Sequence, residues 1–292
     1  DAAYGGRGND RFIASADEEG DDLDGDLYHG GGFIGGPGQV TSIQRNIDGT
    51  DTVDYSGIAG FAIDVTVSGT GPGRVNERDS FPFIDDDTLI SIERVIGTNQ
   101  DDKFEFLGGL SDDPKITLLG AAGNDEYLIS GRGNLDVVEG AIAGYVAPLL
   151  FTNIGNDKLD LSRLDLGVTL KNGGVELIGN TLVGISQAHN IIEFDNGTKI
   201  DAQGIEEINL GEANDTVVTG RAVTITSGTE GLHTKIDMGE NGDHSDVDTV
   251  HVFGNAFIKN GTLYSQSGAE ITNFEKVDLS TFNTTYPFAA AS

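Results

Sequence analysis

Glycine cuts this chain from end to end: 43 of its 292 residues are Gly, and the stretches between them are short runs in which Val, Ile, Leu, Phe and Thr alternate with polar residues. Such runs are AIDVTV (62–67), KITLL (115–119), VTLK (168–171), VELI (175–178), TLVGI (181–185), AVTIT (222–226) and TVHVF (249–253). Alternation with period two, rich in β-branched residues and bounded by Gly or Asn, predicts many short strands with one face turned inward. Helical periodicity is confined to EGAIAGYVAPLLF (139–151), which Pro148 interrupts, and SRLDL (162–166). The chain is therefore read as all-β.

Charge narrows the function. The sequence holds 48 Asp plus Glu against 17 Lys plus Arg, a formal net charge of −31. A nucleic acid or an anionic membrane surface requires a basic face, so neither is an expected partner. A compact state with this many like charges repels itself unless cations neutralise part of the excess. The regular strings of Val, Ile and Leu argue against disorder as the outcome of that repulsion. Cysteine is absent, which removes disulfides and thiolate metal sites. No apolar run approaches the roughly 20 residues that cross a bilayer, so no transmembrane segment is expected. The sequence starts at Asp1 without Met or a signal-peptide pattern, the look of a mature product or of a piece of something longer. Its length suits one or two domains, or one elongated solenoid.

A loose internal repeat organises the chain. IERVIGTNQDDKF (92–104) and IEEINLGEANDTV (205–217) share an Ile-Glu pair and an Asp nine residues after the Glu, at Asp102 and Asp215. FEKVDLSTF (274–282) is a third copy without the Asp, and DTVDYSG (51–57), NDKLDLS (156–162) and DTVHVFG (248–254) form a second signature upstream of each. The division that follows is an N-terminal turn and acidic loop region over 1–45, repeat units over 46–152 and 153–241, and a third unit with a C-terminal cap over 242–292, all in one continuous solenoid. Glu93 and Glu206 are either ligands or caps of a coil, and the structural role is favoured.

GGRGNDRFI (5–13) matches the nonapeptide GGxGxDxUx, with U a large apolar residue, at every specified place. Gly reaches positive φ and turns carbonyls inward, the Asp supplies a hard charged oxygen, and the last three residues form a short strand. Calcium takes six to eight oxygen ligands at flexible geometry, which a turn of this kind helps to build. GAAGNDEYL (120–128) keeps the pattern with Ala121 in place of the second Gly. GTNQDDKF, GEANDTV and GNDKLDL keep the turn, Asp and strand, whereas GGPGQVTSI (35–43) has Val40 where the Asp belongs.

On these residues the chain resembles the calcium-binding RTX, or hemolysin-type, repeat proteins. The resemblance implies a parallel β-helix or β-roll-like solenoid whose Gly/Asp turns hold several Ca2+ ions. It also implies bacterial type I secretion and folding outside the cell or at its surface. Carried onto this sequence, the candidate metal residues are Gly6, Gly8, Asn9 and Asp10; Asp101 and Asp102; Gly120, Gly123, Asn124 and Asp125; Asp157; and Asp215. The matched Asp residues at 10, 102, 125, 157 and 215 are spaced by 92, 23, 32 and 58 residues, so an irregular β-helix with scattered sites is expected rather than a tight row of ions. Further oxygens would come from acidic stretches that contain Asp24, Asp26, Asp51, Asp243 and Asp248. DDD (85–87) is another such stretch, and none of them fits an EF-hand loop.

The leading expectation is an extracellular calcium-binding structural module in an adhesin, a surface-layer or matrix protein, or a secreted enzyme, with cell-surface or extracellular polysaccharide as a partner. The alternative is a β-helix lyase or epimerase acting on an acidic polysaccharide. Its candidate groups are Tyr55, Tyr264, His189, His233, His244 and His251, and no spacing selects a subset. There is no GxSxG elbow, HExxH helix or phosphate loop. Asp113-Pro114 is read as a turn before KITLL, with self-cleavage there as the minor alternative.

Overall fold

The computed structural model describes residues 2–14, 26–30, 49–69, 71–78, 86–139, 155–172, 175–178, 181–184, 189–220, 234–239, 247–253, 256–265 and 269–278. The expected strand AVTIT lies outside them. Every regular element among the described residues is a strand. SRLDL forms a turn, closed by the Leu164 amide donating to the Leu161 carbonyl. The fold is all-β and solenoid-like, and the strands fall where alternation placed them: Val175–Ile178 and Thr249–Phe253 coincide with VELI and TVHVF, and Ile63–Val67 lies within AIDVTV.

The chain forms two compact units, Asp1–Gly155 and Asn156–Ser292. In the first, one sheet runs Ala2–Tyr4, Leu27–His29, Asp86–Ile90, Gly73–Glu77, Ile63–Val67, Lys103–Phe106, Glu126–Ile129. The other runs Arg11–Ile13, Thr52–Asp54, Arg94–Ile96, Ile116–Leu119, Leu135–Val138. The chain alternates between the two, giving each coil one strand in either sheet, and neighbouring coils pair in parallel. Only the excursion through Gly73–Glu77 pairs antiparallel.

In the second unit one sheet runs Lys158–Asp160, Glu207–Asn209, Lys235–Asp237, Glu270–Thr272, Thr262–Ser265, Ala256–Lys259. Its companion runs Lys199–Gln203, His189–Glu193, Thr169–Asn172, Thr216–Gly220, Thr249–Phe253, Lys276–Asp278. A separate hairpin joins Val175–Ile178 to Thr181–Gly184.

Parallel register stacks like side chains into ladders. Val53, Val95, Leu118 and Val137 occupy one row of the first unit, and all are at most 1% exposed. Leu159, Ile208, Ile236 and Ile271 form the corresponding row of the second. Phe104 stacks on Tyr127 at 4.9 Å between adjacent coils. Each side chain removed from water in such a row contributes about 1.5–3 kcal/mol, which anchors the coils from which the turns project.

Candidate metal centre at the carboxylate corners

Each well-formed corner is a Gly that ends one strand and an Asp that begins the next. Over residues 5–10, Gly6 and Gly8 take φ of +102° and +108°, turning the chain back on itself. The Asp10 carboxylate folds over Gly5: a Cβ there would lie 2.4 Å from Asp10 Oδ2. The same encounter recurs at 2.3 Å between Gly30 and Asp51, 2.4 Å between Gly97 and Asp102, and 2.2 Å between Gly120 and Asp125. Glycine stands at these strand ends because a carboxylate oxygen occupies the space of its side chain. Ala121 takes φ of +80° and Gly123 +129°, so the Ala fills the left-handed slot of Gly6.

The Asn-Asp pairs form crossed clasps between coils. The Asp10 amide donates to Asp51 Oδ1 at 2.8 Å, while the Thr50 amide donates back to Asn9 Oδ1 at 2.8 Å. The Asp102 amide donates to Asp125 Oδ1 at 2.7 Å, and the Asn124 amide returns to Asp101 Oδ1 at 2.7 Å. In the second unit the Asp215 amide donates to Asp248 Oδ1 at 2.7 Å, and the Val247 amide to Asn214 Oδ1. Each clasp satisfies two corner amides that no strand ladder reaches.

The Ile-Glu signature forms a second corner. Ser91, Gly204 and Asn273 take φ of +53°, +79° and +57°, each two residues before a Glu. Glu93 accepts the Asp51 amide at 2.9 Å, Glu206 the Asp157 amide at 2.9 Å, and Glu275 the Asp248 amide at 2.8 Å. In return the Asp51 carbonyl accepts the amides of Glu93 and Arg94, that of Asp157 accepts Glu206 and Glu207, and that of Asp248 accepts Glu275 and Lys276. Glu93 and Glu206 are therefore coil caps. FEKVDLSTF carries the third of these corners although its nonapeptide Asp is missing.

These carboxylates sit in a hostile medium. Asp10 Oδ2 and Asp215 Oδ2 are buried and accept no hydrogen bond. Burial pushes Asp215 up to about 7, opposed by the amides of Val168 and Gly211 and reinforced by the charge of Asp248. Burial likewise pushes Glu93 up to about 7, against the Asp51 amide, and Asp102 up to about 6, against the amides of Ile63 and Thr98. At the end of the first unit, Asp125 and Glu139 offer oxygens within 4.8 Å of each other. A Cβ on Gly120 would meet Glu139 Oε1 at 2.1 Å and Asp125 Oδ2 at 2.2 Å, and the Tyr127 hydroxyl donates to Glu139 Oε1. Two buried carboxylates this close repel each other, and a cation held between them would relieve that repulsion. Hard oxygen donors of this kind suit Ca2+.

Of the residues the sequence singles out, Gly6, Gly8, Asn9, Asp10 and Asp51 meet in one clasp, Asp101, Asp102, Asn124 and Asp125 in another, and Asp215 and Asp248 in a third. Gly120 and Gly123 shape the corner of Asp125, and Asp157 binds Glu206 through its amide. Asp26 donates its amide to Asp87 Oδ1 at 2.8 Å. Asp24 and Asp243 lie outside the described residues. Glu139, Asp87 and Glu275 carry corner or core contacts that the nonapeptide pattern does not reach.

The candidate catalytic groups are differently placed. Tyr55 is 1% exposed and its hydroxyl donates to Asp87 Oδ2 at 2.7 Å, so it does not meet solvent. Tyr264 stacks on Phe257 at 4.9 Å, and His251 Nδ1 lies 3.8 Å from Asp278. His233 and His244 lie outside the described residues, as does the side chain of His189. Asp113 caps its own turn, accepting the Leu110 amide at 2.6 Å just ahead of Pro114 and the strand Ile116–Leu119. No helix among the described residues is long and apolar enough to cross a membrane. No protein-family model matches the chain, and no curated protein matches it.

Proposed function

We propose that the chain is an extracellular calcium-binding structural module of RTX-like type, secreted unfolded and folded by Ca2+ at its carboxylate corners, serving an adhesin, a surface or matrix protein, or a secreted enzyme. The observation that carries the reading is the pair of buried carboxylate oxygens, Asp10 Oδ2 and Asp215 Oδ2, that accept no hydrogen bond in a protein of net charge −31. An ionised oxygen buried without a donor costs several kcal/mol, and a bound cation removes that cost. The chain has too few Lys and Arg to supply the cations itself. Calcium at extracellular levels fills sites with dissociation constants of roughly 10⁻⁴ to 10⁻³ M, and a site held at 100 times its dissociation constant adds about 2.7 kcal/mol. Extracellular polysaccharide is the partner this module would meet, with bound calcium bridging two acidic surfaces.

Titration of the chelated protein with CaCl2, followed by far-UV circular dichroism and calorimetry, tests the reading. Binding of several ions with a rise in strand content and melting temperature is expected. If no ion binds and folding is the same in calcium and in chelator, the carboxylate corners are purely structural and the proposal fails.

A further inference from the structure

Two strands of the first unit have no counterpart across its core. Gly73–Glu77 and Ile63–Val67 lie between Asp86–Ile90 and Lys103–Phe106 in one sheet, whereas Arg94–Ile96 pairs directly with Ile116–Leu119 in the other. At about 4.8 Å per strand, the first sheet is longer by roughly 10 Å over the same coils. The connections between the sheets spread to span that difference, and a cleft of about 590 Å³ opens among them.

Its walls are the turn at residues 68, 69, 71 and 72, the corner 90–93, and Pro114. Its floor is the core itself: Val67, Leu89 and Ile116 line it, each at most 5% exposed. Among the described residues that line the cleft, Glu93 alone can carry a charge. The parallel register of Arg94 with Thr117 sets Glu93, one place earlier, in line with Ile116 and on the inward side of the strand with Val95. A carboxylate thus stands in the interior where the next coil places an Ile. Its Oε2 accepts the Asp51 amide, and the charge that bears on it, that of Asp51, has the same sign.

We propose that this cleft binds a small organic cation, a primary ammonium on a short apolar body, with the ammonium at Glu93 and the body on Val67, Leu89 and Ile116. A concave site of this size, apolar with one convergent polar group, is the usual form of a small-molecule site. The sign of the ligand follows from the lining, which offers no basic residue among those described, and from a net charge of −31, which repels an anion before it arrives. A desolvated carboxylate gains more from an ammonium than an exposed one does. A bare metal ion would leave the apolar floor uncovered, which selects an organic cation. The inference does not rest on the calcium reading, in which Glu93 is a coil cap.

Phenethylammonium, 2-phenylethanol and phenylacetate share one apolar body and differ in charge. Each is titrated into the protein at pH 8 in CaCl2 and physiological NaCl, which screens loose attraction to the acidic surface, and binding is read from amide chemical shifts. Phenethylammonium is expected to bind roughly tenfold more tightly than the alcohol, or better, with phenylacetate not binding and the shifts concentrated in the residues that line the cleft. Glu93→Gln, which keeps an oxygen for the Asp51 amide, is expected to bring the ammonium down to the affinity of the alcohol. No saturable binding, equal binding of ammonium and alcohol by the wild type, shifts spread over the acidic surface, or undiminished ammonium affinity in Glu93→Gln each overturns the proposal. The comparison of probes on the wild type decides the matter even where the variant does not fold. Calcium-dependent folding reports on the corners and the probe comparison on the cleft, so either reading can fail without the other.

Discussion

Replacing Glu93 by Gln isolates the cost of a buried corner charge. Glu93 is 5% exposed, and its carboxylate accepts the Asp51 amide at 2.9 Å. Burial raises its pKa from 4.5 to about 7; the Asp51 amide opposes the rise and the Asp51 charge adds to it. Between about pH 4.5 and 7 the folded protein holds a proton that the unfolded chain has released, so stability falls as pH rises through that window. Above pH 7 the penalty is complete, and at 1.36 kcal/mol per pH unit it amounts to about 3 kcal/mol. Gln keeps an oxygen for the Asp51 amide and carries no charge. In chelator, urea unfolding followed by circular dichroism at pH 5, 6, 7 and 8 should show the two proteins drawing apart as pH rises, with Glu93→Gln gaining up to about 3 kcal/mol on the wild type by pH 8. A residual slope should remain in the variant from Asp102 and Asp215, raised to about 6 and about 7. If the stability difference is the same at pH 5 and pH 8, Glu93 is not a buried charge and the reasoning is wrong.

Three further substitutions probe the corners by thermal or urea unfolding. Ala121→Gly should stabilise by about 0.5–1 kcal/mol, because Ala121 sits at φ +80°, where an L side chain is strained; no gain would mean the corner does not hold that conformation. Gly120→Ala should destabilise by about 1–3 kcal/mol, since its Cβ would fall 2.1 Å from Glu139 Oε1 and 2.2 Å from Asp125 Oδ2. Gly57→Ala, with nothing within 4 Å of the added atom, should stay within about 0.5 kcal/mol of wild type and serves as the control.

Strands were readable because inward aliphatic residues must alternate with outward polar ones, as Ile63, Val65 and Val67 do with Asp64 and Thr66. The Asn-Asp pairs were readable as corners, but their partners were not. A clasp needs Asn or Asp only where a side chain accepts; the returning donor is a main-chain amide, which Thr50 and Val247 supply as well as any residue. Matching nonapeptides to one another therefore pairs Asp10 with Asp102, whereas the fold pairs it with Asp51, a residue in DGTD that shows no glycine pattern. The Ile-Glu signature was visible, and its function follows only from the left-handed residue two places before it, which is Ser, Gly or Asn in the three cases. Glu139 has no sequence signal at all: its place beside Asp125 is set by where the strand Leu135–Val138 ends.

The crossed clasps also bear on how such a chain tolerates change in length. Clasped Asp residues are separated by 41, 23 and 33 positions, yet the geometry of the three clasps is the same. Because hydrogen bonds run both ways between two adjacent residues on each coil, sliding one coil by a single residue would break both bonds and turn its apolar row outward. Alignment is thus fixed at the corner itself and owes nothing to the number of residues between corners. Insertions and deletions in the connecting segments leave the stack in phase, so the surface of a protein built this way can be rewritten loop by loop while its interior stays unchanged.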